Sequence, residues 1–140
     1  MRTAAALVIG NELLTGKIQD QNVLVLARTL RSIGVLLRRV VMVLDELDTI
    51  ASEVRSLASS HDVVFTSGGV GPTHDDVTIA AISRAFGVDP VRSPEIESTL
   101  RGYYGDRLTE GHLAMAKIPA GARLARSAGG VWPAIVKDNV

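Results

Sequence analysis

Apolar positions along this chain follow two rhythms. Ala4 to Ile9 and Asp62 to Thr66 are short, nearly continuous runs, the second carrying Val63, Val64 and Phe65, and Val35 to Leu44 is a longer run rich in Val and Leu. Runs of this kind predict strands of a parallel sheet covered on both faces. Between them the apolar residues recur at helical spacing. Val23, Leu26, Ala27 and Leu30 form one stripe, with Gly34 where that helix should end. Leu47, Ile50, Val54, Leu57 and Ala58 form a second, with Asp45 as its expected N-cap. Ile79, Ile82 and Phe86 form a third, closed by Gly87. The alternation of strand and helix predicts an α/β fold on a doubly wound, mostly parallel sheet. Ala4 to Ile9 and Asp62 to Thr66 are expected as adjacent central strands.

Past Gly87 the pattern weakens. Ser93-Pro94-Glu95 marks a helix start, with Pro at the first helical position. Glu95 to Tyr104 is expected to follow as a helix, and Leu108 to Lys117 is a further helix candidate. From Pro119 onward Gly and Ala dominate, and Leu124 and Ala134 to Val136 predict a hairpin-like excursion into a strand. With no internal repeat and no linker, residues 1–140 are read as one domain.

Ligands of open α/β sheets bind beyond the carboxyl ends of the strands. Two loops fall there, Gly10 to Asn22 and Thr66 to Thr78. The second holds Ser67-Gly68-Gly69-Val70-Gly71-Pro72-Thr73-His74-Asp75-Asp76. Its three glycines let the backbone approach a ligand closely, and successive amides leading into a helix suit a phosphate. The spacing matches neither the P-loop nor the dinucleotide fingerprint. Asp75 and Asp76 would repel a phosphate unless a divalent cation such as Mg²⁺ joins them; the alternative is that one caps the following helix and the other complements its dipole. In the first loop Glu12 either faces the crevice or is a solvated carboxylate. Lys17 lies there too, and Asp20 and Asn22 either join the site or cap the next helix. His74 is a general-base or ligand candidate or an exposed loop histidine, and Trp132 is read as a packing residue.

Composition narrows the function classes. The chain carries 15 Lys and Arg against 15 Asp and Glu, so it offers no overall positive field for nucleic acid. It has no cysteine, which removes disulfides, thiolate nucleophiles and Cys metal sites and fits a cytoplasmic location. No apolar stretch is long enough for a membrane span, and the amino-terminal run reads as a first strand rather than a signal sequence. At 46% hydrophobic residues, the chain is expected to bury apolar surface against further copies of itself as a homo-oligomer.

Gly10-Asn11-Glu12-Leu13-Leu14 with Gly16, Ile18, Asp20 and Asn22, followed by the stretch Thr66 to Thr78, resembles the two motifs of the molybdopterin-binding (MoaB/Mog-like) domain family. The nearest branches are the amino-terminal domain of the competence/damage-inducible protein A (CinA) family and the similar domain preceding eukaryotic FAD synthase. Met115-Ala116-Lys117-Ile118-Pro119 with Gly121-Ala122 resembles a later motif of that branch. The resemblance implies a three-layer αβα fold. It also implies oligomers, and binding of molybdopterin or an adenine dinucleotide. Related enzymes attach AMP to molybdopterin, and the CinA branch is associated with metal-dependent cleavage of pyrophosphates such as ADP-ribose or FAD. Carried over, Gly68, Gly69 and Gly71 would line the phosphate or pterin site. Gly10, Asn11, Asp20, Asn22, Ser67, Thr73 and Thr78 would complete it. Asp76 and Asp75 are the catalytic candidates, and Asp76 and Glu12 the metal ligands. Two departures stand out. Asn11 occupies a position where the family has Asp, and the chain stops where the family continues into a Leu-Pro-Gly-like loop and a closing helix, so its carboxy end is expected to be incomplete. Three readings follow: an enzyme acting on a pyrophosphate, a non-catalytic molybdopterin- or nucleotide-binding module, and a structural subunit that works by oligomerising.

Overall fold

A computed structural model describes residues 1–130 and 132–140. Strand β1 (Thr3–Ile9) lies in the middle of a three-stranded parallel sheet, between β2 (Leu36–Val43) and β3 (Val63–Ser67). Its side chains alternate between faces. Ala5, Leu7 and Ile9 meet the core made by helices α3 (Leu47–Ser60) and α4 (Thr78–Ala85), where Ile50, Val54 and Leu57 are fully buried. Helix α2 (Asn22–Ser32) covers the opposite face, burying Leu30. The result is the three-layer α/β/α arrangement, with the first helix preceded by a single turn, α1 (Asn11–Leu14).

The alternation of elements is as the periodicity predicts, with three corrections. The run Asp62 to Thr66 forms β3 from Val63, because the Asp62 carboxylate turns back to accept the amide and hydroxyl of Thr3 at 2.7 and 3.1 Å. Those bonds hold the Asp62 carboxyl below its ordinary value. Within the three-stranded sheet β3 is an edge rather than a second central strand, and the amide of Val64 donates instead to the carbonyl of Asn139. Finally, β2 is not buried on both faces: Leu36, Val40 and Met42 remain 41–47% exposed, since α2 spans only part of that side.

Residues past Gly87 form a second lobe. Two antiparallel pairs, β4 (Pro90–Arg92) with β5 (Lys117–Pro119) and β6 (Arg123–Ala125) with β7 (Ala134–Val136), pack with α5 (Pro94–Tyr104) around Ile96, Leu100, Ala116 and Ile118. Ser93 caps α5 through the amide of Ile96, with Pro94 at the first turn, and β6–β7 is the expected hairpin. The helix expected over Leu108 to Lys117 is shorter, α6 (Glu110–Ala114): Thr109 and His112 close a reciprocal cap at its start, and Lys117 is already in β5. No helix among the described residues is long and apolar enough to cross a membrane.

The face carrying α2 keeps an open apolar groove of about 410 Å³, lined by Val8, Val23, Leu26 and Phe65 among others. Apolar surface of this kind favours self-association, so sedimentation is expected to give a mass above the monomer; a monomer at high micromolar concentration would contradict this. Within the core, Leu57→Ala should cost about 2–5 kcal/mol in denaturant unfolding, whereas Leu44→Ala, at a position 37% exposed, should cost far less.

Candidate functional site

The carboxyl ends of β1 and β3 are neighbours, so the loops that leave them meet. Their contact has almost no spare room. A Cβ on Gly68 would stand 2.0 Å from the carbonyl oxygen of Ile9, and one on Gly69 would stand 2.2 Å from Oγ1 of Thr78. Both residues also have positive φ, +95° and +66°, where glycine carries no steric cost. Thr78, fully buried at the first position of α4, fixes this turn: its hydroxyl donates to the carbonyl of Gly68 at 2.8 Å and its amide to that of Gly69 at 3.1 Å. Among the described residues the amides of Gly69 and Val70 have no protein acceptor. A tightly held loop with two such donors has the form that backbone anion sites take.

Asp76 closes the loop. Its Oδ2 accepts the amide and hydroxyl of Thr73 at 3.0 and 2.7 Å, and it lies so near Gly71 that a Cβ there would come within 2.8 Å. Partial burial pushes the Asp76 carboxyl up, but the bonds from Thr73 and the Gly71 amide outweigh it and leave the group below its ordinary value. Neither acid caps α4, whose N-cap is Val77 without a side-chain bond. Asp75 instead reaches into solvent beside His74, at 3.3 Å, with the two side chains 74% and 93% exposed.

In the first loop the residues part company. Asn11 is engaged by Asp45 in a reciprocal latch: the Asn11 amide donates to Asp45 Oδ2 at 3.1 Å, and the Asp45 amide to Asn11 Oδ1 at 2.9 Å. Asp45 therefore does not cap α3, whose N-cap position is Glu46. The Glu12 carboxylate folds over Gly10, where a Cβ would meet Oε1 at 2.6 Å. Asp20 caps α2 through the amide of Val23 at 2.9 Å. Asn22 joins the two loops, its Nδ2 donating to Ser67 Oγ at 2.7 Å. Lys17 is exposed, and its amide donates to the Glu12 carbonyl.

Gly69, Gly71 and Asp76 line one small cavity, and Glu12 is not among its walls. Val70 and Ile79 line it too, and the second lobe supplies the opposite side, Met115, Lys117 and Trp132 among others. Trp132, expected to pack internally, is 44% exposed. These residues have no spacing relation to the glycine loop, and only the later family-like motif at Met115-Ala116-Lys117 pointed toward them. Among the described residues no three His, Asp or Glu side chains gather as a metal site.

Comparison with known proteins bears on the family and the fold. A family model described as "Probable molybdopterin binding domain" matches residues 5–129. A CinA-like protein of Desulfosudis oleivorans is 37% identical over 123 residues, covering 86% of this chain and 30% of that protein. A protein named probable FAD synthase from Caenorhabditis elegans is 40% identical over 102 residues, 73% of this chain and 20% of its own length. A Pyrobaculum calidifontis protein is 37% identical over 142 residues, 99% of this chain, and the chain spans about half of it, 54%. The crystal structure of CinA from Thermoplasma acidophilum, a protein described as of unknown function, superposes with TM-score 0.86 at 32% identity, covering 96% of this chain and 80% of that one. The molybdopterin biosynthesis enzyme MoaB of Thermus thermophilus shares the fold, with TM-score 0.57 at 21% identity over 81% of this chain and 70% of its own.

Two measurements test this site's construction. Gly68→Ala should destabilise the protein by at least about 1–3 kcal/mol from its backbone conformation alone, whereas Gly102→Ala, in α5 with nothing within 4 Å, should be neutral or stabilising by about 0.5–1 kcal/mol. Because the Asp76 carboxyl lies below its ordinary value, its stabilising contribution is present above that value and is lost as pH falls through the folded value. The stability difference between wild type and Asp76→Asn should therefore shrink on acidification; a constant difference would contradict the assignment.

Proposed function

This chain belongs to the molybdopterin-binding domain family, and from that premise we propose that it binds a phosphorylated pterin or nucleotide with the phosphate on the Gly69 and Val70 amides. The observation that carries this reading is the pair of free amides in a loop whose shape is fixed by Gly68, Thr78 and the Ile9 carbonyl. Such donors need no reorganisation to meet an anion. Ser67, tied to Asn22, and Thr73, tied to Asp76, border the same loop and extend the site on either side. Gly10 and Asn11 shape the first loop rather than touch the anion, Asn11 by its latch to Asp45.

The chemistry we propose is cleavage of a pyrophosphate in an adenine dinucleotide such as ADP-ribose or FAD. A divalent metal such as Mg²⁺ would supply charge neutralisation there. The donor set fits that ion, which commonly takes only one or two carboxylates with phosphate oxygens completing its shell. Asp76 would hold it through Oδ1, the oxygen that Thr73 leaves free, and Glu12 or the exposed Asp75 is the second carboxylate. His74 is exposed beside Asp75. The non-catalytic binding module is the second reading. It is favoured by the occupation of Asn11 by Asp45 and by the lack of a three-residue acid or histidine cluster among the described residues. A cytoplasmic homo-oligomer is proposed in either case, from the absence of cysteine and the open apolar groove.

Calorimetric titration with ADP-ribose, FAD and ATP, with and without Mg²⁺, separates these readings when paired with a turnover assay. Asp76→Asn should weaken binding by about tenfold or more only when Mg²⁺ is present and should abolish any turnover. Unchanged Mg²⁺-dependent affinity in a folded Asp76→Asn protein would remove the metal role and leave the binding module. Failure of all three ligands and of a pterin phosphate to bind would overturn the proposal.

A further inference from the structure

Between the glycine loop and the second lobe lies a cavity of about 60 Å³. One side is Gly69, Gly71 and Asp76; the other is Met115, Lys117 and Trp132. It is far smaller than the roughly 300–1,000 Å³ that encloses a drug-sized ligand. It has room for a phosphoryl group and not for a whole nucleotide, so the rest of a ligand must lie at its rim.

A phosphate here meets a problem of charge. Asp76 is in the cavity wall, and a carboxylate and a phosphate in one small cavity repel each other. Lys117 is the cation in the wall. Its side chain forms no hydrogen bond or ion pair among the described residues, and it is the one Lys or Arg among the residues lining this cavity. Its backbone is fixed in β5, where it pairs with Arg92. At the rim stands Trp132, 44% exposed, next to the buried Pro133 and beside Met115 and Ile135. An exposed indole with apolar neighbours offers a flat face to a flat ring, and such stacking is tolerant of ring identity.

We infer that the second lobe completes the ligand site, with Lys117 meeting the phosphate charge beside Asp76 and the Trp132 indole stacking on the ligand's ring. The ligand class is then a planar heteroaromatic ring joined to a phosphate or diphosphate. This rests on the glycine-loop reading above and adds to it a second wall. The glycine loop and Lys117 then hold the anion between them, and Trp132 decides what is attached to it.

Trp132 is the single tryptophan of the chain, so its fluorescence reports directly on the rim. Wild-type protein is titrated with ADP-ribose and with inorganic pyrophosphate, followed by both calorimetry and tryptophan emission. ADP-ribose should change the emission saturably, with the calorimetric Kd; pyrophosphate should bind without that ring-dependent change. Lys117→Gln should raise the Kd of both ligands by about tenfold or more. Trp132→Leu should raise the Kd of ADP-ribose by a similar factor and leave pyrophosphate unaffected. Calorimetric binding of ADP-ribose with unchanged emission, or unaltered affinities in the two variants, would overturn the role of the lobe and leave the glycine-loop reading standing. Absence of binding by either ligand to the wild type would overturn both.

Discussion

The contact on which the site depends is the one between Gly68 and the Ile9 carbonyl. Parallel pairing of β1 with β3 brings the two strand ends side by side, and the backbone leaving β3 must then pass over the last carbonyl of β1 with no side chain between them. Glycine is required by space as well as by φ. Once that crossing is made, the buried Thr78 ties the loop to α4, and the following amides are left pointing away from protein acceptors. The shape of the loop is a by-product of sheet geometry plus one buried hydroxyl. Its position at the strand ends is the rule for open α/β sheets.

Around that loop, the polar side chains mostly bond to neighbouring loops and helix ends. Asn11 and Asp45 pin the first loop to the turn before α3, Asp20 caps α2, and Asn22 links to Ser67 across the two loops. Asp76 spends one oxygen on Thr73 and keeps the other. This division matters for function. A rigid frame aligns donors before the ligand arrives, which is the main way a fixed site outdoes water in stabilising charge. It leaves the side chains of Glu12 and Lys117 without a side-chain partner among the described residues, while Asp75 lies beside His74.

The core was readable because burial leaves a periodic trace. Leu47, Ile50, Val54 and Leu57 recur at helical spacing, and Ala4 to Ile9 is apolar throughout because β1 is covered on both faces. The same reasoning overstated β2 and β3, since an apolar run records hydrophobicity and not the number of neighbouring strands. The tight turn of the glycine loop was readable because Gly68 and Gly69 sit at positive φ with no room for a Cβ. Partner choice among polar residues was not: nothing in the local sequence says that Asp45 reaches Asn11, 34 positions away, rather than capping its own helix. Lys117 and Trp132 were hidden for a related reason. They come to Asp76 only through the packing of the second lobe, and no spacing rule connects a strand residue to a loop some forty positions earlier.

The central claim is that the Gly69 and Val70 amides receive the ligand's phosphate. The most direct measurement is an amide proton–nitrogen correlation spectrum of labelled protein titrated with ADP-ribose and with inorganic pyrophosphate. The account predicts that the Gly69 and Val70 resonances move most, in the same direction for both ligands, as each amide gains a charged acceptor. Saturable binding with these two resonances unmoved would contradict it.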